Sequence, residues 1–421
     1  MSSSRNGLIG LGVGLGVAGA ATAAGVVADR MHRRRQDALE TGVSLVEKPS
    51  REVVVEATDG VALHVEVDEP RSGVALDEHG LPRPTVVMSH GYCLTSECWV
   101  FQRRYLRWAG HRVVVWDQRG HGRSGRGVSS SYTIAQLGQD LASVIAAVAP
   151  DGPLVLVGHS MGGMTTMALG TMQPDLVRDR VVAFGAISTS AGGMPLASGG
   201  FAASAGRLLL ERLGPGVAGV FEHRPELLKG ILSANSQLAE FLVERYSFAS
   251  PVPRSVVKLA SKMLLGTNLT VMSSFTPAFD DYDQTGGLAA YDGCETLVFN
   301  GEQDVLTPPE HSERIVRALP GAQHVIVRDA GHVIMLEHPD LLNQQLDAMI
   351  ERAAKREEEH IPADLVPRVR RVVTDVDKRR RIERGLERID RAKDDDQPTA
   401  PRDTSAGSAK STARERRREA S

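Results

Sequence analysis

With 421 residues, 42% of them apolar and 24% charged, the chain is long enough to bury a large core, too apolar to be disordered throughout and too polar to span a membrane many times. Its formal charge of −3 offers no basic surface of the kind that phosphates demand, so no specific nucleic-acid partner is expected. Three cysteines (Cys93, Cys98, Cys294) make no disulfide framework, and Cys93 and Cys98 lack the spacing of a zinc site; neither a metal nor a cofactor is expected.

In chain order, the uncharged stretch Gly7–Ala28 comes first and matches the roughly 20 residues that a helix needs to cross a bilayer. Glycines at 10 and 14 and at 12 and 16 carry the four-residue spacing of close helix pairs. Arg30, Arg33, Arg34 and Arg35 follow, so residues 1–35 read as a membrane anchor that keeps the rest of the chain on the cytoplasmic side. The alternative is an exported chain with a signal peptide, since Ala21-Thr22-Ala23 has the small-residue pattern of a cleavage site.

Beyond residue 50, short β-branched runs alternate with helical patterns, which is the mark of a mostly parallel, doubly wound α/β sheet. Residues 51–188 hold a strand pair about Asp59-Gly60, then strands near 85–89, 112–116, 154–157 and 181–187 with helices between them. From 189 to 287 the strand rhythm breaks into Leu- and Ala-rich helical stretches, too long for a loop, and these read as a helical cap over the sheet edge where α/β proteins bind ligands. Residues 288–353 return to strands near 296–299 and 324–327, each followed by a helix. From 354 to 421, blocks such as KREEEH and DKRRRIERGLERIDR are poor in large apolar side chains and read as a charged, largely disordered tail.

The chemistry centres on Gly158-His159-Ser160-Met161-Gly162, set between the apolar run LVLV and a helical pattern. A serine at such a junction sits on a sharp turn with its hydroxyl above the sheet and a helix N-terminus behind it, which suits a nucleophile. Serine needs a base, and the base needs a group to fix its tautomer. His332, in Asp-Ala-Gly-His after the last predicted core strand, and Asp304, in Gly-Glu-Gln-Asp after the strand before it, supply both, with Glu302 as a competing acid.

Four motifs carry a resemblance: SHGY at 89–92, DQRGHGRS at 117–124, GHSMGG at 158–163, and GEQDVLTP at 301–308 with DAGH at 329–332. In order and spacing, residues 51–351 resemble the α/β-hydrolase superfamily, in its branch of esterases, monoacylglycerol lipases, lysophospholipases and cofactor-free haloperoxidases. The resemblance implies the α/β-hydrolase fold, with oxyanion donors at the backbone N–H groups of Tyr92 and Met161, and His90 and Gly91 shaping the oxyanion loop. It also implies a structural role for residues 117–124, with Arg119 bracing loops near the site. The activity implied is ester hydrolysis through an acyl-enzyme, and the apolar cap and amino-terminal arm favour a lipid-like substrate such as a monoacylglycerol or lysophospholipid. Perhydrolase, aminopeptidase and carbon–carbon bond hydrolase activities use the same three residues and stay open, as does a non-catalytic ligand-binding scaffold.

Overall fold

The protein was analysed as a computed structural model that describes residues 30–71, 83–192, 236–280, 282–359 and 369–395. The Gly7–Ala28 segment therefore lies outside the described residues. Among the described residues, no helix is long and apolar enough to cross a membrane.

Runs of valine, leucine and isoleucine lose little by adopting the extended conformation and gain most when both faces of the strand are covered. They build β1 (Arg51–Glu56), β2 (Ala62–Asp68), β3 (Thr85–Ser89), β4 (Val113–Trp116), β5 (Leu154–His159), β6 (Val181–Ile187), β7 (Glu295–Gly301), β8 (Gln323–Val327) and β9 (Val369–Val373). One nine-stranded sheet results, ordered β1-β2-β4-β3-β5-β6-β7-β8-β9. β1 and β2 pair antiparallel, β2 meets β4 antiparallel, and every later pairing is parallel.

Successive residues of a strand point to opposite faces, so each central strand feeds two cores. Val113 and Val115 of β4 join Met88, Trp99 and Leu106 on one face, while Val114 and Trp116 join Val87, Leu156 and Phe184 on the other. The first face is covered by α2 (Val100–Trp108) and, much later, α11 (Pro339–Glu359). The second is covered by α3 (Ile134–Val148), α4 (Met161–Met172), α5 (Pro174–Arg180) and α9 (Pro309–Ala318). Thr133 caps α3 by accepting the Gln136 N–H at 3.1 Å.

Helices α6 (Ser236–Ser247), α7 (Arg254–Gly266) and α8 (Leu269–Asp280) occupy the described part of the region read as a cap; residues 193–235 lie outside it. Val271, Phe275 and Phe279 of α8 pack with Tyr132, Met161 and Met164 in a third apolar cluster directly over the end of the sheet. A helix over residues 30–39 (α1) packs beside this region, with Gln36 Nε2 donating to Glu244 Oε1 of α6 at 2.6 Å.

One expectation needs correcting. The charged segment beyond 353, read as largely disordered, is ordered over 369–395: β9 adds a parallel ninth strand beside β8, and α12 (Val376–Asp395) follows it. Only two β-branched clusters mark β9, in the sequence VRRVV, because an edge strand with its side chains mostly exposed carries no apolar periodicity. α11 likewise runs on to Glu359.

Candidate active site

β5 ends at His159 and α4 begins at Met161, which leaves Ser160 alone on the turn with φ 52° and ψ −119°. A positive φ in a residue with a Cβ costs about 1–3 kcal/mol and persists only where the surroundings impose it. Here they do. A Cβ on Gly158 would lie 2.4 Å from the Gly162 carbonyl oxygen, one on Gly162 would lie 2.1 Å from the Ser89 carbonyl oxygen, and one on Gly163 would lie 2.5 Å from Thr189 Oγ1. The glycines of GHSMGG are thus explained by close approach of β3, of Thr189 just past β6, and of α4. The Ser160 carbonyl in turn accepts from the Gly163 and Met164 N–H groups and from the Thr189 hydroxyl.

His332 lies on the loop after β8, and its Nδ1 lies 2.9 Å from Asp304 Oδ2 and 3.1 Å from Oδ1. Asp304 follows β7 and also accepts from the backbone N–H groups of Leu306 and Thr307 and from the Thr307 hydroxyl. Burial opposes its charge, yet the His332 ring and these donors outweigh burial and hold the carboxyl below its ordinary range. Glu302, the competing acid, is exposed, so Asp304 is the carboxylate that meets the imidazole. With Nδ1–H donating to Asp304, the Nε2 lone pair of His332 is left to act as a base. His159, next to Ser160 in the chain, donates from Nε2 to the His332 carbonyl at 2.9 Å, and the two rings lie 4.8 Å apart. That bond joins the serine turn to the histidine loop.

The loop after β3 carries His90, Gly91 and Tyr92. Gly91 has no room for a side chain, since a Cβ would lie 2.6 Å from His159 Nδ1 and 3.2 Å from the Ser160 Cβ. Met161 is fully buried at the start of α4. Tyr92 donates its hydroxyl to the Met272 carbonyl of α8 at 2.8 Å and packs edge-on against Phe275 and Phe279, so the cap grips this loop directly.

His90 Nε2 accepts the Gln118 N–H at 2.9 Å, and its Nδ1 donates to the Gly91 carbonyl at 2.7 Å. His121, within the 117–124 turn, also shapes the loop: its Nε2 accepts the Cys93 N–H at 3.1 Å, at a residue with φ 59°. Burial pulls both imidazoles down, His90 to about 4 and His121 to about 3, which keeps each ring neutral and its acceptor nitrogen available. Arg119 is fully buried and forks to Asp140 (Nε to Oδ2, 2.6 Å) and to Asp59 (Nη1 to Oδ2, 2.7 Å), tying the turn after β4 to α3 and to the β1–β2 turn. His121 was not legible beforehand because its partner, a backbone N–H 28 residues earlier, leaves no mark in composition or spacing.

Among the described residues, one group has the donor types for a cation. Glu52, His64 and Glu66 bring ligand atoms within 4.8 Å of one another on β1 and β2. Arg103 lies 2.6 Å from Glu66, and Arg123 pairs with both Glu52 and Glu66, so guanidinium groups already satisfy these carboxylates.

Comparison with known proteins agrees with this architecture. The chain is 28% identical over 281 residues, 64% of its length and 93% of the relative's, to a Caulobacter sp. (strain K31) protein named "Putative carbamate hydrolase RutD". It is 25% identical over 284 residues, 65% of its length and 92% of the relative's, to the (E)-2-((N-methylformamido)methylene)succinate hydrolase of Acinetobacter baylyi. Among solved structures, the enol-lactonase from Burkholderia xenovorans LB400 shares the fold with a TM-score of 0.53 at 21% identity, covering 72% of this chain and 100% of that one. The sequence model of the alpha/beta hydrolase fold matches residues 84–339, well over half of the chain, and the protein belongs to that family.

Proposed function

We propose that the protein is a serine hydrolase that cleaves carboxylic esters through an acyl-enzyme. In this reading Ser160 attacks the carbonyl carbon while Nε2 of His332 takes its proton, and Asp304 holds the imidazole in the tautomer that can do so. The negative oxygen of the tetrahedral intermediate meets the backbone N–H groups of Tyr92 and Met161, and losing one such donor typically costs about 3 kcal/mol of barrier. His332 returns the proton to the leaving alcohol, and water then attacks the acyl-enzyme with His332 again as base.

The observation that carries the reading is the conjunction of the 2.9 Å contact between His332 Nδ1 and Asp304 with a serine held at positive φ on a strand-to-helix turn. The apolar cap, whose buried Phe275 and Phe279 pack with Met161 beside Ser160, is the ground for reading the substrate as lipid-like, such as a monoacylglycerol or lysophospholipid. The names of the two relatives favour a second reading, in which the same residues open a carbamate or a related carbon–nitrogen acyl bond.

A fluorophosphonate probe is expected to label the chain at Ser160. Labelling that persists in Ser160→Ala would assign the nucleophile elsewhere. Asp304→Asn should retain the fold and lower kcat by about 10⁴, as loss of the orienting carboxylate does in such triads. Turnover of p-nitrophenyl esters from acetate to palmitate, set beside a monoacylglycerol, a lysophospholipid and an aryl carbamate, separates the substrate readings. Activity confined to acetate would remove the lipid-like substrate, and a preference for the carbamate would install the second reading.

A further inference from the structure

The matched family region stops at residue 339, yet the chain continues into β9 and α12, and these return to the loop that carries His332. Arg328, the first residue after β8, donates its N–H to the Val373 carbonyl of β9 at 2.9 Å. Arg379 of α12 reaches Asp329 at 2.8 Å, and His338 Nδ1 lies 2.9 Å from Oδ2 of Asp375, the residue just before α12. The tightest tie is made by Lys378. Its Nζ donates to the Ser250 hydroxyl at 2.6 Å and to the Glu337 carbonyl at 2.9 Å, and its own N–H is held by Asp375 Oδ1 at 2.8 Å.

Glu337, one residue after Leu336 and within two turns of His332, is the hub of the joint. Its Oε2 accepts the Gly331 N–H at 2.7 Å, immediately before His332. Its Oε1 accepts from the N–H groups of Ala249 and Ser250 and from the Ser250 hydroxyl, all in the segment that links α6 to α7. The fit is close: a Cβ on Gly331 would lie 2.7 Å from the Ser247 carbonyl oxygen, and the Val333 N–H donates to that same oxygen at 3.0 Å. Glu337 is 2% exposed and Lys378 is 4% exposed. Four donors satisfy this deep carboxylate only while the segments that carry them stay in register, and Lys378, bonded to the Ser250 hydroxyl and to the Glu337 carbonyl, ties those segments together. Burial pulls Lys378 down to about 8, while Glu337, Asp375 and Asp329 work to keep its charge.

We propose that Lys378 is a positioning residue for the hydrolase site: an ammonium supplied by the carboxy-terminal β9–α12 unit ties the Ser250 hydroxyl to the Glu337 carbonyl, and Glu337 fixes both the loop bearing His332 and the cap segment at 247–250. The proposal rests on the reading of Ser160, Asp304 and His332 as the reacting triad. It makes β9 and α12 part of the active-site framework.

The test uses the full chain and counts active sites by fluorophosphonate titration, so that molecules lost to misfolding do not enter the rate. In Lys378→Met, the labelling rate and the ester kcat per titrated site should fall about 10- to 100-fold, the scale set by a small misplacement of a reacting group. KM should stay within about twofold, hydrogen exchange at the peptide containing Gly331 should quicken, and Lys378→Arg should recover most of the rate. Wild-type kcat per titrated site in Lys378→Met would overturn the positioning role. Should Lys378→Met not fold, Ser250→Ala keeps Lys378 and Glu337 and removes only the hydroxyl link; it should slow labelling several-fold, and an unchanged rate would overturn the proposal by itself. A wild-type chain that takes no label at Ser160 would instead overturn the triad reading, and this proposal with it.

Discussion

Three buried histidines are held neutral beside the serine: protonation would take the acceptor nitrogen from His90 and His121 and would bury a charge on Nδ1 of His159. His90 and His121 accept backbone N–H groups of the loops beside Ser160, and His159 donates to the His332 carbonyl. Burial pulls them from 6.5 to about 4, 3 and 3. Because the unfolded chain binds these protons near pH 6.5 and the folded chain does not, the stability they contribute is complete above that pH and declines as pH falls from 6.5 toward 4. Each group contributes at most about 1.4 kcal/mol per pH unit, so the three together set an upper slope of about 4 kcal/mol per unit. Asp304, held below its ordinary value of 3.8, adds to the loss only under stronger acid. Scanning calorimetry between pH 7.5 and 4.5 should therefore show Tm falling well before the carboxylates titrate. A flat Tm between pH 7 and 5 would mean that these rings are not held neutral. The motif residues, and Asp304 as the acid for His332, were readable from the chain, but what turns Glu302 away was not: both acids follow β7, and only the direction of the turn decides which one faces the imidazole.

At the scale of elements, the junction of β5 and α4 depends on glycines that let other backbones approach. The nearest atoms to a Cβ on Gly162 are the Ser89 and His90 carbonyl groups, which are backbone and cannot swing aside. Gly162→Ala should therefore displace the end of β3, cost about 1–3 kcal/mol in chemical denaturation and abolish fluorophosphonate labelling. Gly266, at the end of α7, has nothing within 4 Å of a Cβ and no positive φ, so Gly266→Ala should be neutral or slightly stabilising and serves as the control. Equal effects of the two substitutions would show that crowding at the elbow is not what demands glycine. The β-branched runs made β3 to β8 legible because strands buried on both faces leave continuous apolar stretches. β9 escaped that signal because it closes the sheet as an exposed edge.

In the whole molecule, the first and last described helices, α1 and α12, pack against each other, and α1 is also tied to the cap. A Cβ on Gly385 of α12 would lie 2.2 Å from the Ala38 carbonyl oxygen of α1, and Ser255 of α7 donates its hydroxyl to Glu40 at 2.7 Å. Ending the chain after residue 359 would strip β9 from β8, whose residues Gln323–Val327 are all buried, and would leave a bare apolar edge open to pairing with other chains. That truncation should lower Tm and promote aggregation, read by light scattering; a monomeric product of unchanged Tm would show that β9 adds nothing to the sheet. Removal of residues 1–28 leaves α1 and its contacts in the chain. We further propose that the Gly7–Ala28 stretch attaches the enzyme to membranes, and in that case the same deletion moves the protein from the membrane pellet to the supernatant. Unchanged fractionation would retire the anchor.

The sequence by itself determined the α/β class, the strand-to-helix turn at Ser160, and the short set of residues from which a triad can be drawn. Those features depend on neighbours along the chain: β-branched runs, glycine spacing and turn chemistry act within a few residues. The tertiary structure alone decided why Asp304 rather than Glu302 faces His332, which backbone N–H groups His90 and His121 accept, and that part of the charged tail becomes a ninth strand and a helix that begins beside the histidine loop. Each of these depends on contacts between residues distant in sequence, and the free energy of such contacts is set by where the backbone returns rather than by what the local sequence prefers.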